Sequence, residues 1–289
     1  MNKLNRRQFL SRSALGLGSA VFVSRIPVSL GAMPAAKLVT YPIGFQMWIL
    51  RDKIEKEFAP TLKMMAGIGY QSVEMCSPVG YKDLGFGSLL NLSGKDLRKI
   101  INDAGLSIES THYGMEELRT GLDDRIAWAK DSGQKQMIVS SFGLPDKATM
   151  SDWMKACEEI NKMGMKVRDA GMQLGYHNHH MEFAKIDGKL IYDAMMGVLD
   201  PQLVKMQFQV AVISIGYKAA DYFKKYPGRF ISAHLADYST TEKKNVAIGK
   251  GVVDWKEFFA AARTGGVKNI FVEMDPETFK DSAAYLHSL

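Results

Sequence analysis

The chain has 289 residues, of which 46% are hydrophobic and 24% are charged, a composition typical of a globular protein. Its two cysteines, Cys76 and Cys157, are too few for a disulfide framework. The formal net charge is +6, and five of the basic residues lie within positions 1–36, where there is no acid. The remaining chain therefore carries +1, too little basic excess to neutralise a nucleic-acid backbone, and we expect no nucleic-acid partner.

Residues 1–36 have the pattern of an export signal. The pair Arg6-Arg7 precedes a weakly apolar run rich in Gly and Ser, Ala14 to Ser24, and small residues follow from Ala32 to Ala36. This order is typical of a twin-arginine signal, and the run is too short to span a bilayer. We predict a twin-arginine signal peptide over 1–36, recognised by the twin-arginine export machinery, and a periplasmic protein that is membrane-associated if the signal stays uncleaved. An amphipathic or disordered basic arm is the alternative.

From about residue 40 onward, short apolar runs alternate with longer segments at helical spacing. The predicted strands are Ile43–Leu50, Ser72–Met75, Ile108–Tyr113, Met137–Phe142, Leu174–His179, Val204–Val210, Ile231–Ala236 and Ile270–Met274. The helical segments behind them are Phe58–Ala66, Leu97–Ala104, Ile126–Asp131, Trp153–Ala170, Leu190–Val198, Ala219–Tyr226, Trp255–Ala262 and Ala283–Leu286. No linker divides these units, so residues 37–289 are predicted to form one domain.

Eight strand–helix units in a chain of this length predict an α/β fold, a closed (β/α)8 TIM barrel with parallel strands inside and helices outside. Glycines stand where several helices should end, as in Ser132-Gly133 and Gly265-Gly266. An open doubly wound sheet is the alternative. It is disfavoured because no G-x-G-x-x-G loop follows the first predicted strand.

Polar, metal-competent side chains stand at the ends of at least five predicted strands. A barrel of this kind carries its site at the C-terminal ends of its strands, and the residues there include Glu74, His112, His177, His179, Gln209, His234, Asp237 and Glu273. His177 and His179 should share a face, because strand neighbours alternate. Each residue alone is equally consistent with a buried hydrogen-bonded side chain. Their convergence at one rim favours a site.

Imidazole nitrogens and carboxylate oxygens suit a divalent transition metal. Such an ion beside the hydroxyl and carbonyl oxygens of a sugar stabilises the enediolate formed when a proton leaves the adjacent carbon. A carboxylate such as Glu273 would be the base, and a group on the other face would return the proton. Trp48 would offer its apolar face to the C–H groups of the sugar, although ordinary packing explains it equally well.

The chain resembles the xylose isomerase-like sugar isomerase/epimerase barrels, a superfamily that also contains inosose dehydratases and endonuclease IV-type enzymes. The motifs that carry the resemblance run through nearly all of residues 37–289: Gly69-Tyr70-Gln71-Ser72-Val73-Glu74, Tyr176-His177-Asn178-His179 with Glu182-Phe183, Lys225-Tyr226-Pro227-Gly228-Arg229, His234-Leu235-Ala236-Asp237, Gly249-Lys250-Gly251-Val252-Val253-Asp254-Trp255 and Phe271-Val272-Glu273. The resemblance implies a TIM barrel and a divalent metal, Mn, Co, Zn or Mg, held by His177, Gln209, His234 and Glu273.

Three positions depart from the pattern of that family. Gln209 stands where an aspartate is usual, Ala236 replaces a lysine, and Lys250 replaces an acid. Gln offers only a neutral oxygen, which is a weaker ligand than carboxylate. The paired change at 236 and 250 suggests that Lys250 supplies the lost cation from another loop.

We therefore predict three groups of site residues. The catalytic residues are Glu273, His177 and Lys250; the substrate-binding residues are Glu74, His112, His179, Trp48 and Asp237; the metal ligands are His177, Gln209, His234 and Glu273.

The favoured function is an exported sugar isomerase or epimerase that acts on a free sugar or keto-sugar by metal-assisted proton abstraction beside a carbonyl. The first alternative is a lyase or dehydratase on 3-keto-glycosides or inosose-like substrates. The second is a non-catalytic carbohydrate-binding barrel, which the altered metal positions would explain. A DNA-repair endonuclease is disfavoured by the charge. In each case the partner is a small carbohydrate, and a homo-oligomer is compatible with the sequence.

Overall fold

The structure is a computed structural model that describes residues 37–289, so the predicted export signal lies outside the described residues. Eight parallel strands close into a barrel in which each strand pairs with the next and the last pairs with the first. They are β1 Ile43–Gln46, β2 Ser72–Cys76, β3 Ser107–Tyr113, β4 Gln136–Val139, β5 Gln173–His177, β6 Val204–Gln209, β7 Phe230–Leu235 and β8 Asn269–Val272. The predicted (β/α)8 barrel is confirmed.

Eight helices cover the barrel: α1 Arg51–Gly67, α2 Gly94–Asp103, α3 Met115–Ser132, α4 Met150–Asp169, α5 Ile191–Val198, α6 Ala219–Lys225, α7 Trp255–Gly265 and α8 Phe279–Ser288. Local sequence sets their limits. Thr149 and Asp152 form a capping box at the start of α4. Gly133 caps the C-terminus of α3, and its φ of 79° favours glycine. Within residues 37–289, no helix is both long and apolar enough to cross a membrane.

Several predicted strands were too long, and two of these errors, in β1 and β5, bear on the site. β1 stops at Gln46 because its side-chain oxygen accepts a hydrogen bond from Trp48 N at 3.1 Å, which starts a 3-10 helix, Met47–Leu50. β5 stops at His177, two residues before the predicted end, so His179 lies on the loop that follows the strand. Two short hairpins stand outside the barrel, Lys185–Ile186 with Lys189–Leu190 and Asp237–Ser239 with Lys244–Val246.

The two faces of the barrel wall differ in polarity. On β6, Met206 and Phe208 are buried hydrophobic residues, and the Phe208 ring packs against aromatic rings of the surrounding helices. Between them, Gln207 reaches across the barrel to Glu74 on β2. Because alternate residues of a strand face opposite sides, hydrophobic residues seal the wall against the helices while polar residues line the interior. The candidate site is built on this polar lining.

Candidate functional site

Polar residues occupy two successive layers inside the barrel. His112, Gln209 and His234 form the layer nearest the C-terminal mouth, and Ser110, Gln207 and Ser232 lie two residues earlier on β3, β6 and β7. The strand register places Gln209 opposite His234 in the upper layer and Glu74 opposite Ser110 in the lower one. A spacing of two keeps both layers on the inward face.

The Glu74 carboxylate is the centre of this network and is fully buried. Its Oε1 accepts hydrogen bonds from Ser110 Oγ at 2.5 Å and Gln207 Nε2 at 2.8 Å. Its Oε2 lies 2.7 Å from Gln46 Nε2 and 2.5 Å from His234 Nε2. A buried carboxylate is stable only when it is paired and hydrogen-bonded, and here every contact comes from a different strand.

His112 joins the same network from β3. Its Nε2 lies 2.7 Å from Gln207 Oε1 and 3.1 Å from Glu74 Oε2. Burial alone would raise the pKa of Glu74, but the adjacent imidazoles of His112 and His234 outweigh burial and hold that pKa well below its usual range. Glu74 is therefore a permanent negative charge beneath the mouth of the barrel.

His234 lies between two carboxylates. Its Nδ1 is 3.0 Å from Glu273 Oε2, while its Nε2 contacts Glu74. Burial opposes a charged imidazole, yet Glu273 and Glu74 together raise the pKa of His234 to about 9. Burial likewise opposes a charged Glu273, and His234 more than compensates, so the pKa of Glu273 is lowered. At neutral pH this geometry is a carboxylate–imidazolium–carboxylate chain.

His177 and His179 each have a buried ring nitrogen without a hydrogen-bond partner in the described part of the chain. The buried Nδ1 atoms of both residues have no hydrogen-bond partner among the described residues. Burial, reinforced by the neighbouring histidines, holds the pKa of His177 well below its usual value. Burial also lowers the pKa of His179 to about 4. Both rings are therefore neutral at pH 7, and they meet edge to face with centroids 4.8 Å apart.

Three buried histidines can hold a metal ion. His112, His177 and His234 each offer one ring nitrogen, and these nitrogens all lie within 4.8 Å of one another. Three imidazole nitrogens are a known zinc donor set, and the unpartnered Nδ1 of His177 is a nitrogen that such an ion would satisfy. The residues present therefore fit a divalent ion in donor type and spacing, once His234 is neutral and gives up one of its two carboxylate contacts.

Gln209 does not turn its oxygen toward this cluster. Its Nε2 donates to Glu273 Oε2 at 2.5 Å, and its Oε1 accepts from Ala211 N at 3.1 Å, at the start of the next loop. Of the four predicted ligands, the structure brings together His177, His234 and Glu273. His112, predicted to bind substrate, lies in the histidine cluster instead.

Asp237, which was predicted to bind substrate, anchors a loop in the structure. The carboxylate is buried and accepts five hydrogen bonds, from Tyr238 N, Gly249 N, Gly251 N, Val253 N and Trp255 Nε1, at 2.9 to 3.2 Å. These donors occupy both of its oxygens. Lys250 is exposed in the loop that Asp237 holds.

Trp48 stands at the same mouth, just after β1. Its half-buried ring meets Tyr81 edge to face at 5.8 Å, and the guanidinium of Arg51 lies 4.5 Å from the ring centroid. His180, in contrast, is exposed, with its Nε2 3.2 Å from Ser214 Oγ. The three histidines at the end of β5 therefore divide: His177 and His179 lie at the cluster, and His180 faces solvent.

Sequence reasoning missed the supporting layer of Gln46, Ser110, Gln207 and Ser232. These residues hold Glu74 and His112 in place, and a period-two signal marked three of them. Ser110, Gln207 and Ser232 each stand two positions before a predicted rim residue, on the same predicted strand.

Residues 62–289 match the family described as xylose isomerase-like TIM barrel. The chain belongs to this family. Among curated proteins it is similar to the inosose dehydratase of Lacticaseibacillus casei, with 21% identity over 73% of this chain and 83% of that protein.

Solved structures show the same fold. A sugar phosphate isomerase/epimerase from Parabacteroides distasonis superposes with a TM-score of 0.73 at 23% identity, over 88% of this chain and 97% of that one. A xylose isomerase-like TIM barrel protein from Mycobacterium smegmatis, in complex with magnesium, gives 0.65 at 14% identity, over 87% and 97%.

Proposed function

We propose that this protein is a lyase that removes a proton beside the carbonyl of a small keto-sugar or keto-polyol and expels the oxygen substituent on the next carbon. The observation that carries the proposal is the neutral, unpartnered Nδ1 of His179 beside the buried histidine cluster. An inosose or a 3-keto-glycoside is the substrate class. The curated relatives named inosose dehydratase support it.

His179 is the group we assign to proton transfer. Its imidazole is neutral because burial lowers its pKa to about 4, so Nδ1 is free to accept a proton from the substrate carbon. Once protonated, an imidazole of such low pKa readily gives the proton up. The proton goes to the departing oxygen, the C–O bond breaks, a C=C bond forms beside the carbonyl, and water or an alcohol leaves.

Glu273 was the sequence-based choice for the base, and its contacts argue against that role. Its Oε2 is engaged by His234 Nδ1 at 3.0 Å and Gln209 Nε2 at 2.5 Å, and its pKa is lowered. That oxygen is occupied by two donors, whereas Nδ1 of His179 has no partner among the described residues and is free to accept a proton. We assign Glu273 to holding His234, which in turn contacts Glu74.

A divalent ion held by His112, His177 and His234 would supply Lewis-acid stabilisation of the enolate oxygen. The residues of this chain provide the surroundings for it: with His234 neutral, one of its nitrogens would be free for the ion and the other would keep its contact with Glu74 or Glu273. Gln207 holds the His112 ring through Nε2. The twin-arginine pattern of residues 1–36 supports a periplasmic location. Unphosphorylated substrates fit that location.

An isomerase or epimerase is the second candidate. It is favoured by Glu273, whose side chain retains 15% exposure and could serve as a second proton-transfer group. The similarity to a sugar phosphate isomerase/epimerase supports it as well.

One experiment separates the candidates. Protein loaded with Zn²⁺, Mn²⁺, Co²⁺ or Mg²⁺ is incubated in heavy water with an inosose or a 3-keto-glucoside, and product masses are recorded. The lyase gives a product lighter by water or by the alcohol. An isomerase keeps the composition and gains one deuterium. If the protein binds these substrates and turns none of them over, both enzyme assignments are overturned, and a non-catalytic carbohydrate-binding barrel is the remaining function.

A further inference from the structure

Glu182 is a buried acid for which the reaction above has no use. It lies in a single 3-10 turn, Met181–Phe183, directly after the histidines that follow β5. Its side chain is fully buried, and burial raises its pKa. An acid placed in the interior destabilises the fold unless its oxygens meet donors, so its partners reveal what it does.

Both Glu182 oxygens accept hydrogen bonds from the β5 segment. Tyr176 OH donates to Oε1 at 2.6 Å, and the backbone N–H of His179 donates to Oε2 at 2.8 Å. Tyr176 is itself fully buried, with its ring centroid 4.3 Å from that of Phe142. One carboxylate therefore ties the loop after β5 to a rigid side chain of the strand.

These contacts begin where the strand ladder stops. Asn178 N still reaches the backbone oxygen of Gln207 on β6, at 3.5 Å. The next N–H, that of His179, bonds to Glu182 and not to a neighbouring strand. The carboxylate thus takes the place of a strand partner, and it fixes the backbone from which the His179 ring projects beside the His177 ring.

We propose that Glu182 is a positioning residue that holds His179 in the orientation required for proton transfer. This inference rests on the proposed function for the use of His179, but the contact itself is tested without a substrate. Glu182 does not touch the histidine cluster. It acts through the backbone of His179, and Tyr176 fixes its other oxygen.

The test is amide hydrogen exchange and imidazole NMR of the full chain. Glu182→Ala removes both acceptors, so the His179 amide should exchange at least about tenfold faster, and the nuclear Overhauser contacts between the His177 and His179 rings should weaken. Glu182→Gln keeps an acceptor for the His179 N–H and should retain most of the protection. Tyr176→Phe removes only the Oε1 partner and should have an intermediate effect.

Glu117→Ala is the matched control. Glu117, in the first turn of α3, is also an acid with a largely buried side chain whose pKa is raised by burial. It accepts a hydrogen bond at 2.5 Å from Ser77 Oγ, on the loop after β2. It should leave the His179 amide unchanged. If Glu182→Ala does not fold, Glu182→Gln and Tyr176→Phe still test the role, because the His179 amide should exchange faster in Tyr176→Phe than in Glu182→Gln.

Unchanged His179 exchange in Glu182→Ala, or equal acceleration in Glu117→Ala, would overturn the positioning role. Faster exchange together with no turnover of any keto-substrate by the wild type would leave the positioning role intact and reject the proposed reaction instead. With an active substrate, Glu182→Ala should lower kcat by about tenfold or more and change KM little, because it disturbs a group used in the reaction.

Discussion

His234 Nε2 lies 2.5 Å from Glu74 Oε2, although the two residues are 160 positions apart, and neither side chain is exposed. The pair links β2 to β7 across the interior of the barrel. Such a buried ion pair contributes little net stability compared with hydrophobic packing, but removing one partner leaves an uncompensated charge. The Glu74–His234 contact is therefore a position where a single isosteric change should be costly.

The first prediction concerns Glu74→Gln, which keeps the shape and removes the charge. The free energy of unfolding should fall by about 3 kcal/mol, since the His234 imidazolium keeps only Glu273 and several donors lose a charged acceptor. Urea unfolding at pH 7 measures the change. The control is Asp103→Asn, which breaks the Lys99–Asp103 ion pair of 2.6 Å on the surface and should cost less than about 1 kcal/mol. Equal losses would contradict the prediction.

The pH dependence of stability follows from the same pair. The pKa of His234 is about 9 in the folded protein and about 6.5 in an unfolded chain. Its contribution is therefore fully present below pH 6.5 and is lost as the pH rises through 9. In metal-free protein, the free energy of unfolding should decline across that window. Glu74→Gln should decline less, and a parallel decline in both proteins would reject the assignment to His234.

The sequence predicts some features of the fold and not others, depending on the interactions that determine each of them. The barrel follows from the alternation of apolar runs and helical segments, because burial of one face specifies both. The rim residues follow too, since strand ends converge in a parallel barrel. Strand ends themselves depend on single side-chain contacts, such as Gln46 to Trp48 N, and β1 was accordingly predicted too long.

The sequence does not predict which hydrogen-bond partners each polar side chain has. That Asp237 would collect five loop donors depends on how the chain from Gly249 to Trp255 folds back. That the oxygen of Gln209 would bond to Ala211 N depends on amide orientation. Hydrophobic patterning carries no information on either, because it fixes which face is buried and not which donor meets which acceptor.

Gln209→Glu tests whether the missing acid limits metal binding. Without metal, the new carboxylate would face Glu273 Oε2, now 2.5 Å from the Gln209 amide, and stability should fall by about 2 kcal/mol. The added charge should tighten Zn²⁺ and Mn²⁺ binding by at least about tenfold, as measured by calorimetry. The control is Gln173→Glu, at the N-terminal end of β5 and so at the end of the barrel away from the site. It should destabilise the fold without changing metal affinity. Unchanged affinity in Gln209→Glu would place the ion elsewhere.

His179→Asn should separate proton transfer from metal binding. Removal of the assigned acid–base group should lower turnover by about 10²- to 10⁴-fold, while Zn²⁺ affinity stays within about threefold of wild type because His112, His177 and His234 remain. His180→Asn is the matched control, since that neighbouring ring is exposed. Full turnover in His179→Asn would remove it from the reaction, and lost Zn²⁺ binding would make it a ligand.

Asp237→Asn should release the loop that carries Lys250. An amide cannot accept from five donors held at 2.9 to 3.2 Å as a carboxylate does, and we expect a loss of about 3 kcal/mol in the free energy of unfolding. The amides of Gly249 and Gly251 should exchange faster with solvent. Asp254→Asn is the control: Asp254 caps α7 by accepting from Glu257 N at 2.9 Å, and Asn caps equally well. Lys250→Ala should leave stability unchanged, so any fall in its turnover would support the predicted catalytic role of the lysine. Protection of Gly249 and Gly251 retained in Asp237→Asn would show that the loop is held by other contacts.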